Sequence, residues 1–245
     1  SPPMRAYRQA SSLHTTAEPR IYTPTEDLLE SPRDTSSRLL NSVVKDSPFI
    51  LGGSADLFAA NRTYIKDAGD FSANNYLGKN IFFGVREHAM GAILNGLALS
   101  GFRVYGSTFL SFSDYMKPAI RMAAMMKLPV IYIFTHDSIS VGEDGPTHQP
   151  VEQLLGLRSI PNLEVFRPAD ANEVIGSYKA ISENVSGPSV ITLSRNKLPI
   201  LETTNVVGVS HGGYVVFDTE RKPSGIVIAT GEWRHDFGGR INSKF

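Results

Sequence analysis

The segment Val130-Ile131-Tyr132-Ile133-Phe134 constrains the fold more than any other part of the chain. An unbroken apolar run has no alternation between a wet and a dry face, so a strand built from it is covered on both sides. It stops abruptly at Thr135-His136-Asp137-Ser138-Ile139-Ser140-Val141-Gly142-Glu143-Asp144-Gly145-Pro146-Thr147-His148-Gln149-Pro150. Two histidines, three acids and four hydroxyls crowd this one loop. A loop that only connects uses Gly, Asn and Ser without so many titratable groups. In an open α/β sheet, ligands bind beyond the carboxyl ends of the strands. The loop is therefore read as a functional site.

The rest of the chain alternates strand and helix patterns around this segment. Phe49–Leu51, Ile81–Phe83, Arg103–Tyr105, Leu163–Phe166 and Val190–Leu193 are predicted strands beside Val130–Phe134. Helices are predicted near Glu87–Ser100, Ser113–Met126, Pro150–Arg158 and Asp170–Glu183. Another begins just after Asp34 and Thr35, its candidate caps, with Leu39, Leu40, Val43 and Val44 at helical spacing. The order specifies an α/β fold, a parallel sheet with helices on both faces. Ser1–Asp34 is polar and holds five prolines, so residues 1–34 read as a linker. Gly213–Phe217 and Gly225–Ala229 read as the hairpin-like start of a further α/β domain. Residues 231–245 carry neither periodicity and read as a truncation scar, leaving 201–245 an incomplete C-terminal segment.

The 245 residues suffice for one domain of 35–200 and part of another. Net charge is zero, which removes the basic excess of a nucleic-acid binder. No apolar run approaches the ~20 residues of a membrane span, and Ser1–Asp34 lacks the apolar core of a signal peptide. The absence of cysteine excludes disulfides and Cys-ligated metals, and fits a cytoplasmic setting.

A second candidate segment follows the strand Ile81–Phe83. Arg86-Glu87-His88-Ala89-Met90-Gly91-Ala92 opens a helix that is small-faced and apolar through Gly96 and Ala98. Such a helix packs closely, so the Glu87 carboxyl at its mouth is expected to be desolvated. An acid in the first turn also suits the helix dipole, and that alone would account for Glu87.

Five stretches in this order resemble the transketolase family. They are Gly52-Gly53-Ser54-Ala55-Asp56-Leu57, the helix start Arg86–Gly91, Gly106-Ser107-Thr108-Phe109-Leu110-Ser111-Phe112, the His136–Pro150 loop and Leu193-Ser194-Arg195. The resemblance covers about Ser37 to Pro199 and is to transketolase proper. Deoxyxylulose-phosphate synthases and pyruvate dehydrogenase β subunits lack the long two-histidine loop. It implies a pyrimidine-binding domain, thiamine diphosphate as cofactor, and a magnesium or calcium ion on the diphosphate.

By position in the family pattern, Glu87 is the carboxyl that hydrogen-bonds the cofactor's pyrimidine nitrogen. Phe109, Phe112 and Tyr115 match the pyrimidine pocket, although taken singly they are ordinary core aromatics. Asp56 matches a cofactor-side contact. His136, Arg195 and Arg38 match phosphate-binding positions, with a solvated helix face the other reading of Arg38. Asp144 matches the group that reads the hydroxyl beside the scissile bond, and His148 a substrate-hydroxyl or proton-transfer position. One departure is Ala60-Asn61, where the family has Ser-Asn. That removes one phosphate hydrogen bond, a loss on the order of 1.5–3 kcal/mol.

The family's Gly-Asp-Gly…Asn diphosphate motif does not occur in these residues. Two functions remain open. One is half of an active site for two-carbon ketol transfer between phosphosugars, completed by a missing or separate diphosphate-binding domain. The other is a non-catalytic truncated or split-subunit module. A dihydroxyacetone-synthase-like specificity shares the same motifs. A homodimer is expected, with the small face around Gly91 and Ala92 meeting a second copy across a two-fold axis.

Overall fold

The computed structural model describes residues 29–218, 222–223 and 225–233. In chain order the elements are strand β1 (Leu29–Glu30), helix α1 (Pro32–Asp46), β2 (Ile50–Ser54), α2 (Phe58–Asn61), β3 (Asn80–Phe82), α3 (Glu87–Leu99), β4 (Arg103–Phe109) and α4 (Ser113–Met126). Then follow β5 (Val130–Thr135), α5 (Gln153–Arg158), β6 (Glu164–Phe166), α6 (Ala171–Glu183), β7 (Ser189–Leu193), β8 (Leu198–Pro199) and α7 (Val206–Val209). Six strands form one parallel sheet in the order β3-β2-β4-β5-β7-β6. β1 and β8 pair separately and antiparallel.

The apolar runs are buried at every position of β4, β5 and β7. Their alternate residues divide between two helical layers, as a parallel α/β sheet requires. Val104, Val130, Tyr132, Phe134 and Val190 pack with Met90, Leu94, Met116, Ile120 and Leu157 from α3, α4 and α5. Tyr105, Ile131, Ile133, Ile191 and Leu193 pack with Leu40, Val43, Val44, Val174, Tyr178 and Ile181 from α1 and α6. Each such side chain contributes about 1.5–3 kcal/mol by leaving water. Among the described residues no helix is long and apolar enough to cross a membrane.

Three details differ from the sequence expectation. The cap of α1 is Ser31, not Asp34 or Thr35. Its hydroxyl oxygen accepts from the Asp34 N–H, and Pro32 sits at the first helical position, where its missing N–H costs nothing. Strand and helix therefore begin inside the stretch read as a linker, whose residues 1–28 lie outside the described residues. Gly91 does not face outward for a second copy. It lets α3 approach α4, since a Cβ there would stand 2.7 Å from the Ala119 Cβ. No strand forms in 213–217 or 225–229. Val215, Phe217, Ile226, Val227 and Ile228 are all exposed, and a hairpin with no apolar layer to cover is not stable in water. Residues 234–245 lie outside the described residues.

β2 fits between β3 and β4 only because Gly52 and Gly53 have no side chain. A Cβ on Gly53 would stand 1.9 Å from the Ile81 carbonyl oxygen, and one on Gly52 2.1 Å from that of Tyr105. Neighbouring backbone cannot rotate aside as a side-chain tip can. Gly53→Ala is therefore expected at the upper end of overpacking costs, about 3 kcal/mol. Urea unfolding reads this as a lowered midpoint at unchanged slope. A parent-like midpoint would show that β2 and β3 part at little cost.

Candidate functional site

The polar residues gather at the carboxyl edge of the sheet. β4 ends in Phe109, and the tight turn to α4 places Phe112 immediately before that helix. Their rings stack at 5.6 Å between centroids with 23° between planes, and Tyr115, one turn on, lies 6.2 Å from Phe112. β5 ends in Thr135, after which His136 takes a left-handed φ of 61°. This conformation is uncommon outside glycine and concentrates at functional sites. It sets the His136 ring 4.0 Å from Phe109. His148 approaches Phe109 and Phe112 edge-on, at 5.7 and 5.0 Å. Two strand ends and one loop thus build a five-ring cluster of Phe109, Phe112, Tyr115, His136 and His148.

A buried hydrogen-bond chain fixes His136. The Thr135 hydroxyl donates to Asn61 Oδ1 at 2.7 Å, and His136 Nδ1 lies 2.9 Å from the same hydroxyl. With that proton committed to Asn61, Nδ1–H is the donor and Nε2 carries the free lone pair. Burial pushes the imidazole pKa down to about 4, and the guanidinium groups of Arg33 and Arg195 push the same way; Asp144 opposes them and His148 adds to the lowering. His136 is therefore neutral near pH 7.

Positive charge comes instead from Arg33 and Arg195. Arg33, in the first turn of α1, donates from Nη1 to the Ala60 carbonyl at 2.8 Å, while its buried Nε has no partner among the described residues. Its backbone N–H reaches the Ser194 carbonyl, tying α1 to the end of β7. Arg195 pairs with Glu143 at 3.0 Å and Asp144 at 3.5 Å on the His136–Pro150 loop. His136, Asp144, His148 and Arg195 are thus brought together as the sequence suggested. Arg38 is not. It pairs with Glu30 at 2.5 Å on the half-exposed face of α1. Five residues apart, Arg33 and Arg38 point about 140° away from each other around the helix.

Glu87 is the first residue of α3, 8% exposed, with no hydrogen bond or ion pair to its carboxylate among the described residues. Asp56 follows β2, exposed, with a left-handed φ of 64°. Both follow the carboxyl ends of strands, Glu87 after β3 and Asp56 after β2, at the sheet edge where Phe109 ends β4. The Asn61 side chain turns inward to Thr135 and, more distantly, to Ser54.

A deeper polar layer went unread in the sequence. Asp137 pairs with Arg167 at 2.8 Å, both side chains almost wholly buried. Burial pushes the Asp137 carboxyl up, while the charge and hydrogen bond of Arg167 pull it down; nearby Glu232 pushes it up again, and the net shift is upward. Glu232 sits among Ser138, Ser140, Ser194 and Asn196. Burial pushes it up, but those hydrogen bonds outweigh burial and hold it below the ordinary carboxylate range.

Residues 31–200 match the family described as "Transketolase, pyrimidine binding domain". The chain is 53% identical over 204 residues to the transketolase of Bacillus subtilis, covering 81% of this chain and 31% of that protein. It is 48% identical over 214 residues to the chloroplastic transketolase of Zea mays, covering 86% and 32%. The fold superposes on Pichia stipitis transketolase in complex with sedoheptulose 7-phosphate with a TM-score of 0.82 and 39% identity, covering 90% of this chain and 34% of that one. A split-gene transketolase described as an inactive β4 tetramer matches with a TM-score of 0.56 and 26% identity, covering 70% and 53%. The chain spans about a third of the length of the curated relatives cited here.

The lowered pKa of His136 has a signed consequence. Between about 4 and the ordinary 6.5, the unfolded chain binds the proton that the folded chain refuses. Stability from this group is complete above 6.5 and is lost as pH falls toward 4. The thermal midpoint of the parent is expected to drop more between pH 7 and pH 4.5 than that of His136→Asn, which tolerates the left-handed backbone. Parallel profiles would mean that His136 titrates as an exposed histidine.

Proposed function

The chain belongs to the transketolase family through its pyrimidine-binding domain, and on that premise we propose that residues 35–200 supply half of a thiamine-diphosphate site for two-carbon ketol transfer between phosphosugars. The observation carrying this reading is the convergence, at one sheet edge, of a stacked aromatic slot with two arginines around a neutral histidine. The residues suit the cofactor. Phe109 and Phe112 offer a dry, flat surface, and stacking adds about 0.5–1.5 kcal/mol beyond burial. Glu87 presents a buried carboxyl without a hydrogen-bond or ion-pair partner among the described residues, placed to share a proton with a pyrimidine nitrogen. When bound, the cofactor supplies the carbanion chemistry. Its diphosphate, with a magnesium or calcium ion, would be held by a diphosphate-binding domain contributed outside these residues, since they carry no Gly-Asp-Gly.

On the substrate side, Arg195 and Arg33 take the phosphate, Arg33 in place of the outlying Arg38. Their forked donors match phosphate oxygens. His136 accepts at Nε2, Asp144 accepts from the hydroxyl beside the scissile bond, and His148 exchanges a proton with a substrate hydroxyl. Phosphosugar substrates accord with the Pichia stipitis complexes with sedoheptulose 7-phosphate and xylulose 5-phosphate. Residues 201–233 would lead toward a C-terminal domain. The split-gene relative favours a second reading, a subunit inert until a partner chain joins it. For self-association, the outward side of α3 offers Ala92, Ile93, Gly96 and Leu99. A two-fold contact there would be broken by Ile93→Glu, and sedimentation checks it: a parent monomer removes the proposed dimer.

Complementation tests the main reading. The chain is combined with the remaining amino-terminal part of the Bacillus subtilis relative, thiamine diphosphate and magnesium, and transfer from xylulose 5-phosphate to ribose 5-phosphate is measured. Glu87→Gln, which keeps the shape but cannot exchange the proton, is expected to lower turnover by about 100-fold or more, within the range of general acid–base contributions. Activity that survives Glu87→Gln would leave Glu87 as a helix-dipole residue. Absence of activity in the parent mixture would favour the inert-subunit reading.

A further inference from the structure

One side chain joins the segments that follow β5 and β7. Glu232 is 8% exposed and comes from a segment far along the chain from its partners. Its Oε1 accepts from the hydroxyls of Ser138 and, at 2.5 Å, Ser140, both just after β5. Its Oε2 accepts from the Ser194 hydroxyl at 2.9 Å and the Asn196 amide at 3.0 Å, just after β7. Asn196 also donates to Ser140 at 3.0 Å, closing a ring around the carboxylate. The adjoining Gly231 N–H donates to the carbonyl of Arg167, the residue after β6, at 3.1 Å, and the Arg167 side chain reaches Thr230 beside Gly231 and Asp137 after β5.

We propose that Glu232 is a positioning residue whose carboxylate locks the His136–Pro150 loop to the turn bearing Arg195, fixing the spacing at which these groups meet a sugar phosphate. The inference rests on the phosphate reading given above and adds a residue to it. Beside the Asn196–Ser140 bond, the same two segments are linked by the pairing of Arg195 with Glu143 and Asp144. Glu143 is 78% exposed there, and exposed ion pairs contribute little. Those pairs must also part when Arg195 turns toward a phosphate, so they cannot hold the spacing in the bound state. The Glu232 ring can, because Glu232 is buried and its bonds engage none of His136, Arg33 and Arg195. Charge-assisted bonds in a buried network are the strong kind, and they fail together when the central acceptor is removed.

The test uses the whole chain, isotope-labelled at His and Arg, with inorganic phosphate, ribose 5-phosphate and unphosphorylated ribose titrated by NMR below the thermal midpoint. In the parent, ribose 5-phosphate is expected to shift His136 and Arg195 resonances while ribose does not, and Arg195→Gln removes the response. No response in the parent, or a response untouched by Arg195→Gln, overturns the phosphate reading itself. With that response present, Glu232→Gln is expected to weaken ribose 5-phosphate binding about tenfold in protein that remains folded. A merely structural role would lower the thermal midpoint and leave the affinity of the folded protein unchanged, which overturns the inference. Should Glu232→Gln not fold, the Ser140→Ala, Asn196→Ala double variant cuts both sides of the ring and decides by the same criterion.

Discussion

Burial of the parallel sheet on both faces is the constraint on which the rest depends. With every backbone group of β4, β5 and β7 inside the ladder and every side chain inside a core, chemistry has room only at the strand ends. The strand order then decides which ends meet. β5 lies between β4 and β7, so Phe109, His136 and Arg195 leave the sheet from adjacent strands about 4.8 Å apart. The flat apolar surface, the imidazole and the guanidinium stand side by side because their strands do. Gly52 and Gly53 extend this to β2 and β3 by allowing those backbones to close up, which brings Asp56 and Glu87 to the same edge.

Electrostatics sorts the roles within that edge. A histidine among arginines could be read as one more cation, but burial and both guanidinium groups keep it neutral. The Asn61–Thr135–His136 chain then fixes which nitrogen holds the proton, much as an outer partner fixes a ligating histidine. The site therefore holds two guanidinium groups beside a neutral acceptor, the set on which the phosphosugar proposal rests. The strained backbone at His136 is consistent with this. A conformation costing about 1–3 kcal/mol persists only where the surroundings enforce it, and here Thr135, Phe109 and the core below hold it.

The parts legible in the sequence were those whose signal is local. A five-residue apolar run can only be a covered strand, and α4 shows its buried face at helical spacing. The polar loop after β5 was visible as a concentration of titratable groups without packing purpose. Arg33 was not visible, because Ser31-Pro32 looks like the end of a Pro-rich linker when it is a helix cap. Arg38 was named by its place in the family pattern, and Arg33, five residues earlier, lies on another face of the same helix. The segments 213–217 and 225–229 have strand composition but no layer to cover, and composition cannot report that. Glu232 was beyond reach for a different reason. Its partners lie 36 to 94 residues away, and its own segment has no periodicity, so only the folded chain reveals that three serines and an asparagine share one acceptor.

That deep layer raises the question of why so much charge is buried beneath a binding edge. Asp137, Arg167 and Glu232 leave water at a cost that their mutual attraction only partly offsets, and buried ion pairs are often replaceable by apolar groups without loss of stability. An apolar layer here would also fill the space and cover the sheet. It would not, however, fix a distance, since apolar contacts are non-directional and tolerate sliding by fractions of an ångström. Hydrogen bonds of 2.8–3.0 Å from Arg167, Ser194 and Asn196 do not tolerate it. The layer therefore trades some stability for fixed distances between the segments that leave β5, β6 and β7. Fixed spacing matters to the proposed phosphate site, whose two halves, the His136–Pro150 loop and the Ser194–Asn196 turn, come from separate strands.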